Sequence, residues 1–181
     1  VAEGTVINLT DYIPQKTGYT FAGWVAGETT YVGDETLTVN ANITLTAQWN
    51  INQYTVTFKD GETVLKTETV EYGSSASAPD DLTKTGYDFA GWDVAFDSVA
   101  SDLTVNAKWE ISKYVVTFHV DGGTIDAAEV TVEHGSELNF SEHVPQKTGY
   151  IFNGWESGDT TYTSADSVTV TSALEFTAQW T

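Results

Sequence analysis

The chain reads as a mainly β protein with minor helix, built from small modules in tandem. Three observations predict this. The phrase Lys-Thr-Gly-Tyr-x-Phe-x-Gly-Trp occurs three times, at Lys16 to Trp24, Lys84 to Trp92 and Lys147 to Trp155, and self-similarity at such a spacing marks a repeat array. Each copy is followed by an alternating run that closes on a second tryptophan: LTAQW at Trp49, VNAKW at Trp109 and FTAQW at Trp180. Finally, Thr, Val, Gly and Asp dominate, and no 3.6-residue apolar stripe is sustained anywhere, so helix signals are poor.

The 181 residues would suggest one or two domains by length, but the repeat divides them into three units, 1–50, 51–110 and 111–181. A unit of roughly 60–70 residues lies near the lower limit for a self-sufficient core. The aromatic load answers that difficulty: the chain carries 6 Trp, 9 Tyr and 8 Phe, and such side chains bury roughly 150–250 Å² each.

Taken in order, the first unit is short. Val1-Ala2-Glu3-Gly4 aligns with Val70-Glu71-Tyr72-Gly73 and Val132-Glu133-His134-Gly135, so the chain starts where an opening hairpin would already have finished. Either this unit is a truncated remnant, or an upstream segment or another molecule supplies its missing strands, and an uncovered edge there would be prone to strand addition. With neither signal peptide nor initiator Met, the sequence reads as a piece of a longer mature chain.

In the second unit, Tyr54 to Phe58 alternates apolar with polar and predicts a half-buried strand. Asp60-Gly61 predicts the hairpin turn, Thr63 to Tyr72 the return strand, and Leu103 to Trp109 the closing strand. The third unit repeats the plan with Tyr114 to Phe118, the turn Asp121-Gly122-Gly123, and Val130 to His134. Residues 159–166 form a polar insertion absent from the second unit, which predicts a surface loop. The best short helix candidates are Ser74 to Leu82 and Ser141 to Val144. The junctions Asn50 to Gln53 and Glu110 to Lys113 lack Gly and Pro and run straight from Trp into the next strand, so a fairly stiff string of modules is expected.

Within the repeated phrase, Gly18, Gly86 and Gly149 are expected in a turn needing positive φ or a close backbone approach. Tyr19, Phe21 and Trp24, with Tyr87, Phe89 and Trp92 and with Tyr150, Phe152 and Trp155, are read as a short strand whose aromatics plug the core. Gly23, Gly91 and Gly154 would relieve crowding beside the Trp. The competing reading of these rings is an exposed platform for stacking sugars. Lys16, Lys84 and Lys147 are expected to be solvated or ion-paired.

Composition excludes several functions. With 26 Asp plus Glu against 7 Lys plus Arg the net charge is −19, so no basic footprint exists to neutralise phosphates and nucleic acid is excluded as a partner. No apolar run approaches the length of a membrane span, so no membrane insertion is expected. There is no cysteine, hence no disulfide or thiolate site. His119, His134 and His143 all lie in the third unit, but Lys59 and Tyr72 occupy the places of His119 and His134 in the second, which argues against a metal site. Gly33-Asp34-Glu35, Asp80-Asp81 and Asp159 to Asp166 lack the spacing of a calcium loop. No nucleophile elbow, zinc-protease motif or phosphate-cradling loop is present. No catalytic residue, cofactor or metal ligand is therefore expected.

The order YxVTF, Asp-Gly turn, VxxG, Pro, KTGYxFxGW and a run closing on A-(Q/K)-W resembles the Listeria–Bacteroides repeat. The resemblance covers residues 51–181 as two full copies and 1–50 as the latter part of a third. It implies a compact β-grasp-like module, akin to ubiquitin or SUMO, strung in tandem on extracellular bacterial surface proteins and serving as a spacer or adhesion element rather than an enzyme. It carries over no catalytic or ligand residues. The leading expectation is a non-enzymatic stalk or spacer that stays monomeric and projects a distal domain. The alternative is a binding module that engages a host protein or glycan through loops or an exposed strand edge. Gly158, Asp159 and Tyr162 in the insertion are the candidate interaction loop, and oligomers by strand addition at the first unit are a third route.

Overall fold

The computed structural model describes residues Val1–Thr181. It is mainly β, with two single-turn 3-10 helices at Leu9–Tyr12 and Phe140–Glu142. The first repeat supplies β1 (Thr5–Asn8), β2 (Tyr19–Ala26), β3 (Thr29–Tyr31), β4 (Thr36–Val39) and β5 (Thr46–Ile51). The second supplies β6 (Gln53–Asp60), β7 (Thr63–Glu71), β8 (Tyr87–Trp92) and β9 (Leu103–Ile111). The third supplies β10 (Lys113–His119), β11 (Glu129–Glu133), β12 (Glu137–Asn139), β13 (Phe152–Ser157), β14 (Thr160–Tyr162), β15 (Ser167–Thr169) and β16 (Leu174–Trp180). By contacts the chain falls into two compact units, Val1–Asp80 with Trp92–Ala107, and Asp81–Gly91 with Lys108–Thr181.

The third repeat shows the plan in full. Its five-stranded sheet has the order β11-β10-β16-β13-β14. β10 and β11 form the expected antiparallel hairpin, and β10 then pairs in parallel with β16, placing Val116 opposite Leu174 and Phe118 opposite Phe176. Alternation sends Val116, Phe118, Phe176 and Ala178 to one face, where they meet Leu138, Phe140, Trp155 and Val170 in the core. Trp155 is fully buried, and its indole N–H donates to the carbonyl of His143 at 2.8 Å, satisfying the ring's one polar atom. The imidazole of His143 stacks on Phe118 at 4.7 Å between centroids.

The polar insertion is not a loop. Thr160–Tyr162 pairs with β13, Trp155 opposite Tyr162, and the Tyr162 ring packs on Phe140 and Phe176 at 5.0 and 5.6 Å. The Asp166 carboxylate closes the following turn by accepting from the Thr163 amide and hydroxyl. The first repeat builds the same hairpin, with Trp24 opposite Tyr31 and Glu35 accepting from the Val32 amide. It is the middle repeat that lacks this hairpin.

The middle repeat compensates with a different residue. Ala76 and Ala78 stand where the third repeat has Leu138 and Phe140, and no strand equivalent to β14 brings in a Tyr. Phe96, from the short segment after β8, turns inward instead and packs edge-on against Phe58 at 5.2 Å, beside Trp92. The chain around it is extended rather than helical: Gly73 and Ala76 donate to the carbonyls of Val99 and Phe96, and Val99 donates back to Ser74. The Ser74 carbonyl, which a helical turn at Ser74 to Leu82 would use for its first bond, accepts from Val99 instead, and the expected turn does not form. The second helix candidate survives only as the 3-10 turn at Phe140–Glu142. The hairpin after β6 also shifts slightly: Asp60 faces Thr63, so its two loop residues are Gly61-Glu62.

Two outcomes follow. Phe96→Ala, which removes the ring standing in for Phe140 and Tyr162, should lower stability by about 2–3 kcal/mol in urea unfolding followed by tryptophan fluorescence, with Phe96→Leu costing less than half of that. Burial holds the His143 imidazole below its usual value of 6.5, against the opposing pull of Glu142. A depressed histidine favours the neutral folded form, so its contribution is full above about pH 6.5 and is lost as pH falls through the lower folded value. Thermal melts from pH 8 to 5 should show this slope, and His143→Phe should flatten it.

Candidate functional site: the repeated phrase and the joints it forms

Each Lys-Thr-Gly-Tyr is a tight turn in which the Tyr amide donates to the Lys carbonyl, at 3.0 Å in the first copy, 2.9 Å in the second and 3.1 Å in the third. Its glycine lies at φ +77°, +77° and +82° in turn, the left-handed conformation a type II turn demands at its third residue. The turn folds the lysine back over the aromatics. Lys16 Nζ stands 3.8 Å from the Tyr19 ring centre and 5.8 Å from that of Trp49. Lys84 sits at 5.5 and 5.4 Å from Tyr87 and Trp109, and Lys147 at 4.5 and 5.7 Å from Tyr150 and Trp180. The lysines are thus not simply solvated, and Lys147 also lies 4.0 Å from the Asp121 carboxylate. They ride on an aromatic pair in every copy, a contact of about 0.5–1 kcal/mol at exposed sites, and Lys147 also donates to the Asp121 carbonyl at 2.6 Å.

The phrase sorts its aromatics by depth. Phe21 bridges Trp24 and Trp49 edge-on at 5.3 and 5.7 Å, and Phe152 bridges Trp155 and Trp180 at 5.3 and 5.6 Å. Phe89 meets Trp109 at 5.5 Å. Trp155 is buried, whereas Tyr87, Phe89 and Tyr150 are 43%, 41% and 54% exposed. Gly23 and Gly154 sit at a bulge opposite the closing strand, at φ +143° and +141°. What they make room for is not the tryptophan but the carbonyl of the facing hairpin strand: a Cβ on Gly23 would stand 2.7 Å from the Tyr31 oxygen, and one on Gly154 would strike that of Tyr162. Gly91, in the repeat without that hairpin, has open space around it. Of the candidate loop residues, Gly158 (φ +58°) and Asp159 form the exposed hairpin tip, while the Tyr162 ring belongs to the core.

A third role of the phrase was not visible in the sequence. Between β5 and β6 lies one residue, Asn52, and between β9 and β10 one residue, Ser112. The Asn52 amide donates to Gly18 at 2.9 Å, and the Asn52 carbonyl accepts from Tyr72 at 2.8 Å. Ser112 does the same between Gly86 and His134, at 2.9 and 2.8 Å. Side chains reinforce both junctions: the Thr20 hydroxyl donates to Asn52 Oδ1 at 2.6 Å, and the Ser112 hydroxyl to Asp88 at 2.9 Å. The ring of Tyr72 lies directly on Gly18 and that of His134 directly on Gly86, so close that a Cβ at either glycine would fall among the ring carbons. Tyr54 flanks the first ring and Tyr114 the second, at 6.5 and 5.9 Å. Each glycine is therefore a socket, and the aromatic at the third place of the next repeat's V-x-x-G corner is its plug. Only the alignment of Tyr72 with His134 hinted at this.

No group of three His, Cys, Asp or Glu side chains is placed to hold a metal ion. His119 faces Glu175 at 3.6 Å, His134 fills the joint and His143 lies on Phe118. No helix is long and apolar enough to cross a membrane. What the site does is tie each of the first two Lys-Thr-Gly-Tyr turns to the linking residue and to the aromatic corner that follow it.

These features define a structural repeat rather than a reaction centre. The Listeria-Bacteroides repeat domain matches residues 1–48, 54–108 and 114–179, and the chain belongs to that family. It is 36% identical over 184 residues to a protein of Evansella cellulosilytica described as a membrane protein, covering 92% of this chain and 27% of that one. It is 36% identical over 158 residues to a Gly-rich membrane protein of the same organism, covering 77% of this chain and 18% of that one. It is also 43% identical over 103 residues to Internalin H of Listeria monocytogenes, covering 55% and 17%. The chain thus spans about a quarter or less of the relatives it matches. It is a non-enzymatic repeat segment of the extracellular, bacterial cell-surface kind.

The socket has a direct test. Gly135→Ala, at φ +78° with open space, should cost about 1 kcal/mol for the left-handed backbone alone. Gly18→Ala and Gly86→Ala should cost roughly 1–3 kcal/mol more because the ring must also move. Equal losses at the three positions in chemical denaturation would refute the plug-and-socket joint.

Proposed function

We propose that the chain is a stalk: three repeats, 1–50, 51–110 and 111–181, that hold a distal functional domain away from the bacterial surface. The observation that carries this reading is that both junctions are made alike, by one linking residue, paired backbone hydrogen bonds and an aromatic ring on a glycine. Residues common to the copies serve the core, the lysine stack and the joint, and none converges on a shared cleft. The net charge of −19 keeps such a segment soluble through mutual repulsion. A β-grasp-like module is supported by the strand order of the third repeat, in which the first and last strands lie side by side and parallel at the centre of the sheet.

One observation favours binding by strand addition in the first repeat. There, the residues equivalent to the start of β9 and β16 are Ile43 to Leu45, and they lie outside β5. An open apolar groove of about 450 Å³ lies beside them, lined by Ile7, Leu9, Tyr12, Ile13, Trp24 and Leu45. The Trp24 indole N–H is buried there without an acceptor. This is the face that Phe58 and Phe118 cover in the other repeats, and it suits a β-hairpin of the kind formed by residues 53–71 and 113–133.

Small-angle scattering with in-line light scattering over a concentration series separates the two readings. The stalk predicts a constant mass of 19.7 kDa, with Gly18→Val and Gly86→Val each changing the radius of gyration as a joint loosens. A mass that grows with concentration, and falls back on adding a peptide of residues 113–133, would favour strand addition instead.

A further inference from the structure

The third copy of the phrase builds the same socket and leaves it uncovered. Gly149 has φ +82°, matching Gly18 and Gly86, but nothing lies within 4 Å of where its Cβ would stand. The strand beside it is set as at the other joints: Ile151 and Thr181 exchange both backbone hydrogen bonds, at 2.7 and 3.0 Å. Lys147 is already folded onto Tyr150 and Trp180. The patch is apolar for so acidic a chain, with Tyr150 54% and Ile151 71% exposed.

We infer that the Gly149 face is a docking surface for one more repeat of this same family, whose V-x-x-G corner plugs the socket with an aromatic ring. The inference rests on the stalk reading, and continuity with the two joints already formed carries it. The chemistry of the occupant can be narrowed. At the first two joints the residue two places after the socket glycine is polar, and its side chain bonds that of the linking residue: Thr20 with Asn52, and Asp88 with Ser112. At the third joint that residue is Ile151. A hydroxyl or amide set against it would lose its partner and keep its desolvation cost. The occupant of this socket therefore carries an apolar linking residue in place of Asn52 or Ser112, together with Tyr, His or another ring at its corner. Ile151 makes the third joint selective as well as open.

The test extends the full chain beyond Thr181 with a copy of residues 51–110, the linking residue being Val in one version and the native Asn in the other. In the 181-residue chain, Gly149→Ala should lower the Tm only slightly. In the Val-linked extended chain the drop should at least double, and it should return to the small value when the appended copy of Tyr72 is changed to Ala. Amide exchange at Ile151 should slow at least tenfold on extension, more with Val than with Asn. An identical Gly149→Ala penalty in all chains, or no added protection at Ile151, would overturn the socket. Both results leave the stalk reading standing, since that is judged by the effects of Gly18→Val and Gly86→Val on particle size. Concentration-dependent dimers of the unextended chain that Gly149→Ala abolishes would show a second copy, not a further repeat, as the occupant and would also overturn it.

Discussion

The parallel pairing between the first and last strands of a repeat organises everything around it. In the third repeat, β10 lies against β16 with Val116 beside Leu174 and Phe118 beside Phe176; in the second, β6 lies against β9 with Val56 beside Leu103 and Phe58 beside Val105. Two strands far apart in sequence are thereby made neighbours, and their inward side chains form the floor on which the tryptophan of the repeated phrase rests. The first repeat shows what happens without it. Its closing strand starts late, Ile43 is 43% exposed, and the floor is an open groove. Such pairing closes a long loop at an entropic cost, which a core this small offsets by concentrating aromatic rings at the contact.

Given that framework, the copies differ in ways that conserve volume rather than sequence. Leu138, Phe140 and Tyr162 fill the upper core of the third repeat, while Ala76, Ala78 and Phe96 share the same task in the second. Losing one hairpin and gaining one inward Phe are thus linked events, as dense packing requires. The same economy extends to the repeated phrase. Its Tyr and Lys make a stack, its Phe braces the closing Trp, its own Trp packs inward, its second Gly passes a carbonyl in the first and third copies, and its first Gly seats an aromatic ring in the first two. Few positions are free to vary, which is the physical reason the phrase recurs nearly verbatim in a chain whose other segments have drifted.

Much of this was legible in the residues. Strand alternation at Tyr54 to Phe58, Tyr114 to Phe118 and Leu103 to Trp109 placed the central strands correctly, because a half-buried strand writes its two-residue period into the chain. The recurring phrase located the tryptophans of the core. Three things were not legible. The segment Thr160–Tyr162 looked like a polar loop because two threonines mask the one ring that packs inward. Ser74 to Leu82 offers a short helix candidate because its pairing partner, Phe96 to Val99, has no pattern of its own. The lysine stack and the joints depend on residues some 50 apart along the chain, such as Gly18 and Tyr72, and no local period announces them.

The side-by-side arrangement of the first and last strands has a mechanical meaning for a segment exposed at a cell surface. In the third repeat β10 and β16 run in the same direction and are hydrogen-bonded to each other. Tension applied through the chain pulls the start of one strand and the end of the other in opposite directions along their common axis. The bonds between them are then loaded together in shear rather than opened one after another from an end. Resistance to such a pull is set by the rate of unfolding, not by equilibrium stability. A repeat whose end strands are paired in this way meets a pull with its unfolding barrier rather than with its equilibrium stability.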